Sequence, residues 1–296
     1  MTFGVGPPAP QTLKVVYSDD MVSETSDARS VSAGKPRSVA RALAERPWPL
    51  DFVAPEPVSL EALYRAHDPN FVDGILQLRV LNGFGSRSES VARSLPYTCG
   101  AFLTSARLAL REGVSASLTS GFHHARYSSA RGYCTFNGLI VAAVALLDAG
   151  EASRIAIVDC DFHYGDGTQT LIRLLNLHEQ VLHVSFGKAF RRPDQAETYL
   201  AAVRDLPLDF GGFQPDVVFF QAGADAHVDD PLGGLLTTAQ MRERDRIVFN
   251  ACRDLGIPVT WNLAGGYQQE ADGSIPKVVA LHLNTFEEAL RVWDLA

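Results

Sequence analysis

In the second half of the chain, short apolar runs alternate with segments of helical spacing. Two of the helical segments, 136–149 and 238–255, are each followed by a glycine, which commonly ends a helix. Short apolar runs are typical of strands buried on both faces, as in a parallel sheet that helices cover on both sides. The pattern therefore predicts an α/β fold with one open parallel sheet flanked by helices. The runs lie at residues 115–118, 154–158, 181–184, 217–221 and 259–263.

The other segments carry weaker signals. A Ser-rich stretch with Gly34 and Pro36, residues 23–38, predicts a loop. Residues 1–11 predict a loose tail, because they lack the basic and apolar regions of a signal peptide. No repeat or change of composition marks a boundary, so residues 1–296 are predicted to form a single domain. A strand is predicted at 13–17, and helices at 39–45, 60–66, 99–112, 168–175, 275–281 and 286–293.

Charge and composition exclude several classes of protein. The net charge of −8 and the lack of a basic stripe argue against direct binding of nucleic acid. No apolar run reaches the ~20 residues of a membrane-spanning helix, so we expect no membrane contact. The acidic surface mildly favours cationic substrates, such as lysine-containing peptides or polyamines. Four widely spaced cysteines without a signal peptide predict reduced thiols in a cytoplasmic protein: Cys99, Cys134, Cys160 and Cys252.

The segment with the strongest chemical signal is the apolar run at 154–158 together with the polar residues that follow it. Because side chains alternate along a strand, Asp159, Asp161 and His163 should project to one side and Cys160 and Phe162 to the other. Two carboxylates on one buried face repel each other and lose hydration, which is costly unless a cation compensates. A divalent ion bound by Asp161 and His163 is the simplest compensation.

A third candidate ligand, Asp225, follows the apolar run at 217–221. Two Asp and one His give zinc three protein ligands and leave one position open for water or substrate. Fe(II) and Co(II) accept the same ligands, so the pattern predicts a metal site more firmly than it predicts which metal. Without Asp225, solvated loop residues past the end of a strand would be the better explanation of the Asp-x-His pattern.

His123 and His124 are adjacent in a loop after another predicted strand. Such a pair could be metal ligands, surface residues or acid–base groups. The acid–base interpretation gains support because Asp159 and Asp166 are available to fix the imidazole tautomers. A metal-dependent hydrolase needs such a base and acid.

The last predicted strand ends in Gly265-Gly266-Tyr267. Glycines let the backbone turn tightly and approach a ligand, and a phenol beyond them could donate to a developing oxyanion. An ordinary turn with a half-buried tyrosine is the alternative.

Together these segments resemble the histone deacetylase superfamily, which includes acetylpolyamine amidohydrolases and bacterial relatives. The resemblance covers roughly residues 60–270 and rests on five motifs in the family's order. The stretch that begins at Asp225 is more similar to the class II and bacterial branches than to class I. The motifs are Gly-Phe-His-His-Ala, Gly-Tyr-Cys-Thr-Phe-Asn, Asp-Cys-Asp-Phe-His-Tyr-Gly-Asp-Gly-Thr, Ala-Gly-Ala-Asp-Ala-His and Gly-Gly-Tyr.

The resemblance implies an arginase/deacetylase-type fold and a role for each matching residue. His124, held by Asp166, would be the general base and acid, and His123, paired with Asp159, a largely electrostatic partner. Tyr267 would stabilise the oxyanion. The implied zinc ligands are Asp161, His163 and Asp225. The implied substrate-binding residues are Gly132, Tyr133, Phe190, Leu232 and Gly265. The implied structural potassium site consists of Asp159, Asp161, His163, Ser185 and Phe186.

The sequence departs from the family's pattern in places. Tyr164 replaces a common histidine outside the ligand set, and Tyr133 stands where phenylalanine is common. The rim aspartate that grips the substrate backbone in many deacetylases is not identified, although 82–87 would be its region.

The predicted activity is zinc-dependent removal of an acyl group, with acetyl expected, from a lysine side chain or a related amine, and the predicted partner is an acylated lysine peptide or protein. An acylated polyamine is the alternative substrate. A ureohydrolase with two manganese ions and a non-catalytic acyl-lysine reader are rivals from other classes. The acyl chain and the oligomeric state are left open.

Overall fold

The computed structural model describes residues 11–23 and 30–295, which form seven strands and ten α-helices. The strands are β1 (Leu13–Val16), β2 (Leu50–Val53), β3 (Val114–Ser120), β4 (Ile155–Asp159), β5 (Val181–Ser185), β6 (Val217–Gly223) and β7 (Val259–Ala264). The helices are α1 (Lys35–Ala44), α2 (Leu60–Ala66), α3 (Pro69–Leu76), α4 (Glu89–Glu112), α5 (Gly138–Asp148), α6 (Asp166–Leu174), α7 (Ala196–Arg204), α8 (Leu206–Phe213), α9 (Thr238–Asp254) and α10 (Pro276–Val292).

All seven strands belong to one parallel sheet, in the order β2-β1-β3-β7-β6-β4-β5. The predicted fold class, an open parallel sheet flanked by helices, is confirmed. Strand β4 lies between β5 and β6 and pairs in regular register with both, so that Asp159 lies opposite Ser185 and Gln221. The register between β3 and β7 shifts after Ser117, directly before the loop that follows β3.

The core lies on both faces of the sheet because side chains alternate along each strand. In β4, Ile155 and Ile157 face one apolar cluster, while Ala156 and Val158 face the other. Cys160 continues the second set, with 1% of its surface exposed. Its side chain therefore points away from those of Asp159 and Asp161, as the alternation predicts. The four cysteines are free and buried, in agreement with the prediction of reduced core thiols.

Several predicted segments differ from the structure. The Ser-rich loop predicted at 23–38 already contains the start of α1 at Lys35, because Pro36 lies in the first helical turn, where no backbone N–H is needed. The two helices predicted at 275–281 and 286–293 are one helix, α10. Its polar residue Thr285 is buried and donates to Asp245 rather than breaking the helix.

Helix α4 begins ten residues before the predicted start and contains Pro96 in its interior. The structure also has elements that the sequence patterns did not predict, namely β2, α3, α7 and α8. The tail predicted at 1–11 lies outside the described residues except for Gln11. None of the helices in the described ranges combines the length and the apolar character that spanning a membrane requires.

Candidate metal and catalytic site

Four loops meet at one edge of the sheet, where β3, β7, β6 and β4 are consecutive neighbours. In parallel sheets, ligands bind outside the carboxyl ends of the strands. The loop after β3 carries the histidine pair, and the turn after β7 carries Tyr267. The loops after β4 and β6 carry the three predicted metal ligands. Motifs more than a hundred residues apart in sequence are therefore brought together at this edge.

Asp161, His163 and Asp225 form a compact cluster, in which the three potential ligand atoms all lie within 4.8 Å of one another. The His163 Nδ1 atom is 3.2 Å from Asp161 Oδ1 and 2.9 Å from Asp225 Oδ2. Backbone N–H groups hold both carboxylates, since that of His163 donates to Asp161 and that of Phe162 donates to Asp225. The carboxylates are buried, and the imidazole is half-buried.

The charges in this cluster are those of a cation site. Burial and the neighbouring charge of Asp161 raise the pKa of Asp225 to about 7. Hydrogen bonds to Asp161 and Asp225 raise the pKa of His163 to about 10, so the ring takes up a proton to compensate the carboxylates. A divalent ion would supply that compensation and leave the imidazole neutral, as a ligand must be. Two Asp and one His therefore suit such an ion.

The adjacent histidines differ in exposure and in partner. His123 is buried, and its Nδ1 atom lies 3.0 Å from Asp159 Oδ2. Although burial lowers the pKa of His123, the charges of Asp159 and Asp161 outweigh that effect and raise it to about 9. His124 is half-buried, and its Nδ1 atom lies 2.6 Å from Asp166 Oδ1. Burial and the neighbouring His123 lower the pKa of His124, so its ring is neutral near pH 7 and can accept a proton.

Asp166 is held in place by more than the histidine. Arg126 approaches its second oxygen with two nitrogens, at 3.1 and 2.5 Å, and Arg131 lies 3.3 Å away. Burial raises the pKa of Asp166, but the hydrogen bonds from His124 and Arg126 lower it by more. The pKa is therefore below its usual value, and the group stays ionised. As the first residue of α6, Asp166 also lies at the positive end of a helix dipole.

Tyr267 follows a turn whose glycines have φ values of +48° at Gly265 and +88° at Gly266, which L side chains rarely adopt. A Cβ atom at Gly265 would lie 2.3 Å from Asp225 Oδ1, so the turn packs directly against a metal ligand. The backbone N–H of Tyr267 donates to Asp230 at 2.7 Å. Burial and the charge of Asp161 raise the pKa of the phenol, which keeps it protonated as a donor.

Among the five residues predicted to bind potassium, Asp161 and Ser185 contact Asp159 directly. The Ser185 hydroxyl donates to Asp159 Oδ2 at 3.1 Å, and the backbone N–H of Asp161 donates to Asp159 Oδ1 at 3.2 Å. Phe186 follows Ser185 in the turn Phe186–Lys188. The structure brings these residues together, and the binding of a potassium ion stays a prediction.

The predicted substrate-binding residues are distributed less compactly. The Tyr133 ring lies 5.6 Å from that of Tyr267 and 6.0 Å from that of Phe84. The Phe190 ring packs against those of Phe186 and Tyr199.

Two other predicted residues differ in their surroundings. Leu232 is 47% exposed and follows the loop of Asp225. Gly132 faces His124, because a Cβ atom there would lie 2.6 Å from His124 Cδ2. The roles of these residues and of Phe190 in binding substrate stay predictions.

Several buried polar residues near the site were not predicted: Lys35, His67, Asp230 and His183. Each is a single residue in a segment without a recognisable motif, although Asp230 lies in the stretch that begins at Asp225. An isolated lysine or histidine is most often exposed, so the sequence alone carries no signal for these four.

The comparisons with known proteins point to one family. The family model of the histone deacetylase domain matches residues 30–193 and 186–284. An uncharacterized protein of Picosynechococcus sp. is 30% identical over 73% of this chain and 78% of its own length. A probable deacetylase of Methanothermobacter thermautotrophicus is 26% identical over 88% of this chain and 87% of its own length. The acetylpolyamine amidohydrolase 1 of Pseudomonas aeruginosa is 30% identical over 51% of this chain and 50% of its own length.

Among solved structures, the HDA15 HD domain is similar with a TM-score of 0.73 and 20% sequence identity. The similarity covers 96% of this chain and 95% of that domain. It shows a shared fold over almost the whole chain.

Proposed function

The chain belongs to the histone deacetylase family, and from that premise we propose that it is a zinc-dependent amidohydrolase that removes an acyl group from a lysine side chain. The observation that carries the proposal is that three parts lie together at one edge of the sheet. These are a three-ligand cluster for a divalent ion, a neutral histidine hydrogen-bonded to a carboxylate, and a protonated tyrosine. Amide hydrolysis needs one part to polarise the carbonyl, one to move protons and one to stabilise the oxyanion.

Asp161, His163 and Asp225 would hold the ion, and zinc fits three such ligands with one position left open. Fe(II) would accept the same ligands. A bound ion would supply a Lewis acid for the acyl carbonyl and would lower the pKa of water. A structural potassium ion beside Asp159 would add positive charge next to the two carboxylates.

The chain's own residues supply the rest of the chemistry. His124 takes the proton of the attacking water at Nε2, since its Nδ1 atom faces Asp166. The same ring then donates that proton to the leaving amine. His123 is fixed by Asp159, and its ring centre lies 4.1 Å from that of His124. This second imidazole stabilises the negative charge that develops. The Tyr267 phenol donates a hydrogen bond from its O–H to the former carbonyl oxygen as the oxyanion forms, and it keeps its proton.

The charges next to His124 favour an acylated lysine over a polyamine. Arg126 and Arg131 both lie beside Asp166, so two guanidinium groups face a single carboxylate there. An acylated lysine side chain is neutral, whereas an acylated polyamine keeps ammonium groups that these cations would repel. The polyamine remains the second candidate, because one relative carries the name acetylpolyamine amidohydrolase.

Two rivals from other classes are less well supported. A ureohydrolase with two metal ions needs a second set of ligands, and residues 11–23 and 30–295 contain one set of three. A non-catalytic reader of acyl-lysine would have no use for a histidine fixed by a carboxylate next to a metal site. Measurable turnover would exclude the reader.

The zinc-loaded protein should be assayed with formyl-, acetyl- and longer acyl-lysine peptides and with acetylated putrescine and spermidine. We expect hydrolysis of acyl-lysine, and we expect Tyr267→Phe to lower kcat by about a hundred-fold or more, since one oxyanion donor is lost.

Tyr164→Phe is the matched control, because Tyr164 is next to His163 but outside the reacting groups. It should keep activity within about twofold, as surface and peripheral changes usually do. Full activity of Tyr267→Phe would contradict the role of the phenol. Turnover that survives complete removal of metal would contradict the proposed function.

A further inference from the structure

Lys35, the first residue of α1, is fully buried with 0% of its surface exposed. Its ammonium donates to the backbone carbonyl of Gly265 and, at 3.1 Å, to the Ser120 hydroxyl. In the part of the chain that the structure describes, no carboxylate pairs with it within 4 Å. Lysine is almost never fully buried without a paired charge, because the ammonium loses its hydration. The position of this lysine therefore requires an explanation.

The ammonium joins two elements that carry site residues. Ser120 ends β3, directly before the loop with His123 and His124, and Gly265 begins the turn with Tyr267. Burial lowers the pKa of Lys35 to about 8, and the charges of Asp225, Asp161 and Asp230 act in the opposite direction. The lysine thus lies within the electrostatic reach of the metal-binding carboxylates without touching them.

The aim of the Tyr267 phenol depends on the turn that carries it. In residues 11–23 and 30–295, no hydrogen bond holds the phenol oxygen itself. The backbone is fixed at both ends of the turn instead, by Lys35 at the Gly265 carbonyl and by Asp230 at the Tyr267 N–H. The Lys35 ammonium also lies 6.0 Å from the centre of the Tyr267 ring.

We propose that Lys35 is a positioning residue, whose ammonium holds the Gly265 carbonyl and so aims the Tyr267 phenol at the developing oxyanion. The inference rests on the proposed function, since it assigns the lysine a part in that reaction. Lysine suits the task because its ammonium has three donors, enough for the Gly265 carbonyl and the Ser120 hydroxyl. A neutral side chain of the same length would leave the carbonyl without its donor.

The test is a double-mutant cycle between Lys35→Met and Tyr267→Phe in the zinc-loaded protein. Lys35→Met keeps the length of the side chain but loses its charge and donors. We expect it to lower kcat by about 10- to 100-fold, because a misplacement of about 1 Å can have that effect, with KM changed less than about twofold. In the Tyr267→Phe background, the same change should lower kcat by less than about twofold, because the phenol is already gone.

Two further variants complete the comparison. Lys35→Arg keeps the charge and should restore part of the lost kcat. Lys277→Met removes a lysine whose side chain is 66% exposed on α10 and should leave kcat unchanged. If Lys35→Met lowers kcat by the same factor in both backgrounds, the lysine acts independently of Tyr267 and the proposal is wrong.

Crystal structures separate this inference from the proposed function. Even if the wild type hydrolyses none of the acyl amines, the structure of Lys35→Met should show a changed Gly265 carbonyl and a Tyr267 ring displaced from its 5.6 Å separation from Tyr133. An unmoved ring would refute the inference. Lys35→Gln, which keeps one donor, should fold and give an intermediate kcat. If neither Lys35→Met nor Lys35→Gln folds, the lysine is needed for folding and the positioning role is rejected.

Discussion

At the scale of single residues, His67 shows how a buried titratable group supports the site without joining it. Its Nε2 atom accepts the backbone N–H of Asn137 at 2.9 Å, and its Nδ1–H therefore points to the Arg126 carbonyl, also at 2.9 Å. The ring is fully buried beside Phe136. Burial lowers the pKa of His67 to about 4, because the protonated ring would lose both its hydration and its acceptor role.

This pKa predicts how stability depends on pH. The unfolded chain takes up a proton near pH 6.5, whereas the folded chain does so only near pH 4. The contribution of His67 to the free energy of unfolding is therefore fully present above pH 6.5. It is lost as the pH falls towards 4, by up to about 3 kcal/mol. We expect His67→Gln to be less stable than the wild type at pH 7, with the difference shrinking towards pH 4.5.

The measurement is urea unfolding at several pH values, with EDTA present so that metal release does not contribute. His178→Gln changes an exposed histidine and is the control, for which we expect a curve parallel to the wild type. A constant difference in the free energy of unfolding between His67→Gln and the wild type at all pH values would refute the prediction.

At the scale of secondary-structure elements, the start of α5 connects two of the site's loops. The Asn137 side chain caps the helix by accepting the backbone N–H of Ile140 at 3.2 Å. Its amide nitrogen donates to the Ala125 carbonyl at 3.3 Å and to the Thr168 hydroxyl at 3.0 Å. The loop that follows His124 and the first turn of α6 are therefore both fixed to one helix end.

Asn137→Ala should therefore cost more than a helix cap alone. We expect a loss of about 2 to 4 kcal/mol, because the cap contributes about 1 kcal/mol and buried polar groups are left without partners. The matched control is Ser59→Ala, which removes an exposed cap from α2. That variant should lose about 1 kcal/mol or less. Equal losses in urea unfolding would show that the two tertiary hydrogen bonds contribute nothing.

At the scale of the whole molecule, the candidate metal-ligand cluster connects the loops that follow the adjacent strands β4 and β6. The carboxylates of Asp161 and Asp225 are buried beside each other and repel when both are ionised. An ion that binds the folded chain but not the unfolded chain stabilises the fold by mass action. Metal binding and global stability should therefore be coupled.

We expect EDTA to lower the Tm of the wild type and added zinc to restore it. At a free zinc concentration of about a thousand times Kd, the stabilisation is about 4 kcal/mol. For a chain of this size that corresponds to a Tm shift of roughly 6 °C. The Tm of Asp225→Asn, which lacks one charged ligand, should change much less between EDTA and zinc. A wild-type Tm that is the same with EDTA and with zinc would contradict the metal site.

The sequence by itself determined the type of sheet and the chemistry available at its edge. Buried strands such as β4 and β6 are read from their apolar runs, and the polar residues after them follow from side-chain alternation. Apolar runs and side-chain alternation are local features, so they can be recognised without knowing which strands are adjacent in the sheet. The resemblance of five motifs to one family then identified which polar residues belong together.

Only the tertiary structure decided which strands are neighbours and what is buried between the loops. The order that brings the ends of β3, β7, β6 and β4 side by side depends on long-range packing, which no local pattern records. For the same reason, Lys35 appeared as a residue of a Ser-rich loop, although it is a buried donor beside Tyr267. The packing of the Phe190 ring against Tyr199 is likewise visible only in the tertiary structure. Local sequence patterns specify the secondary-structure elements and the polar side chains that follow them. Burial in the folded chain specifies which of those side chains contact one another.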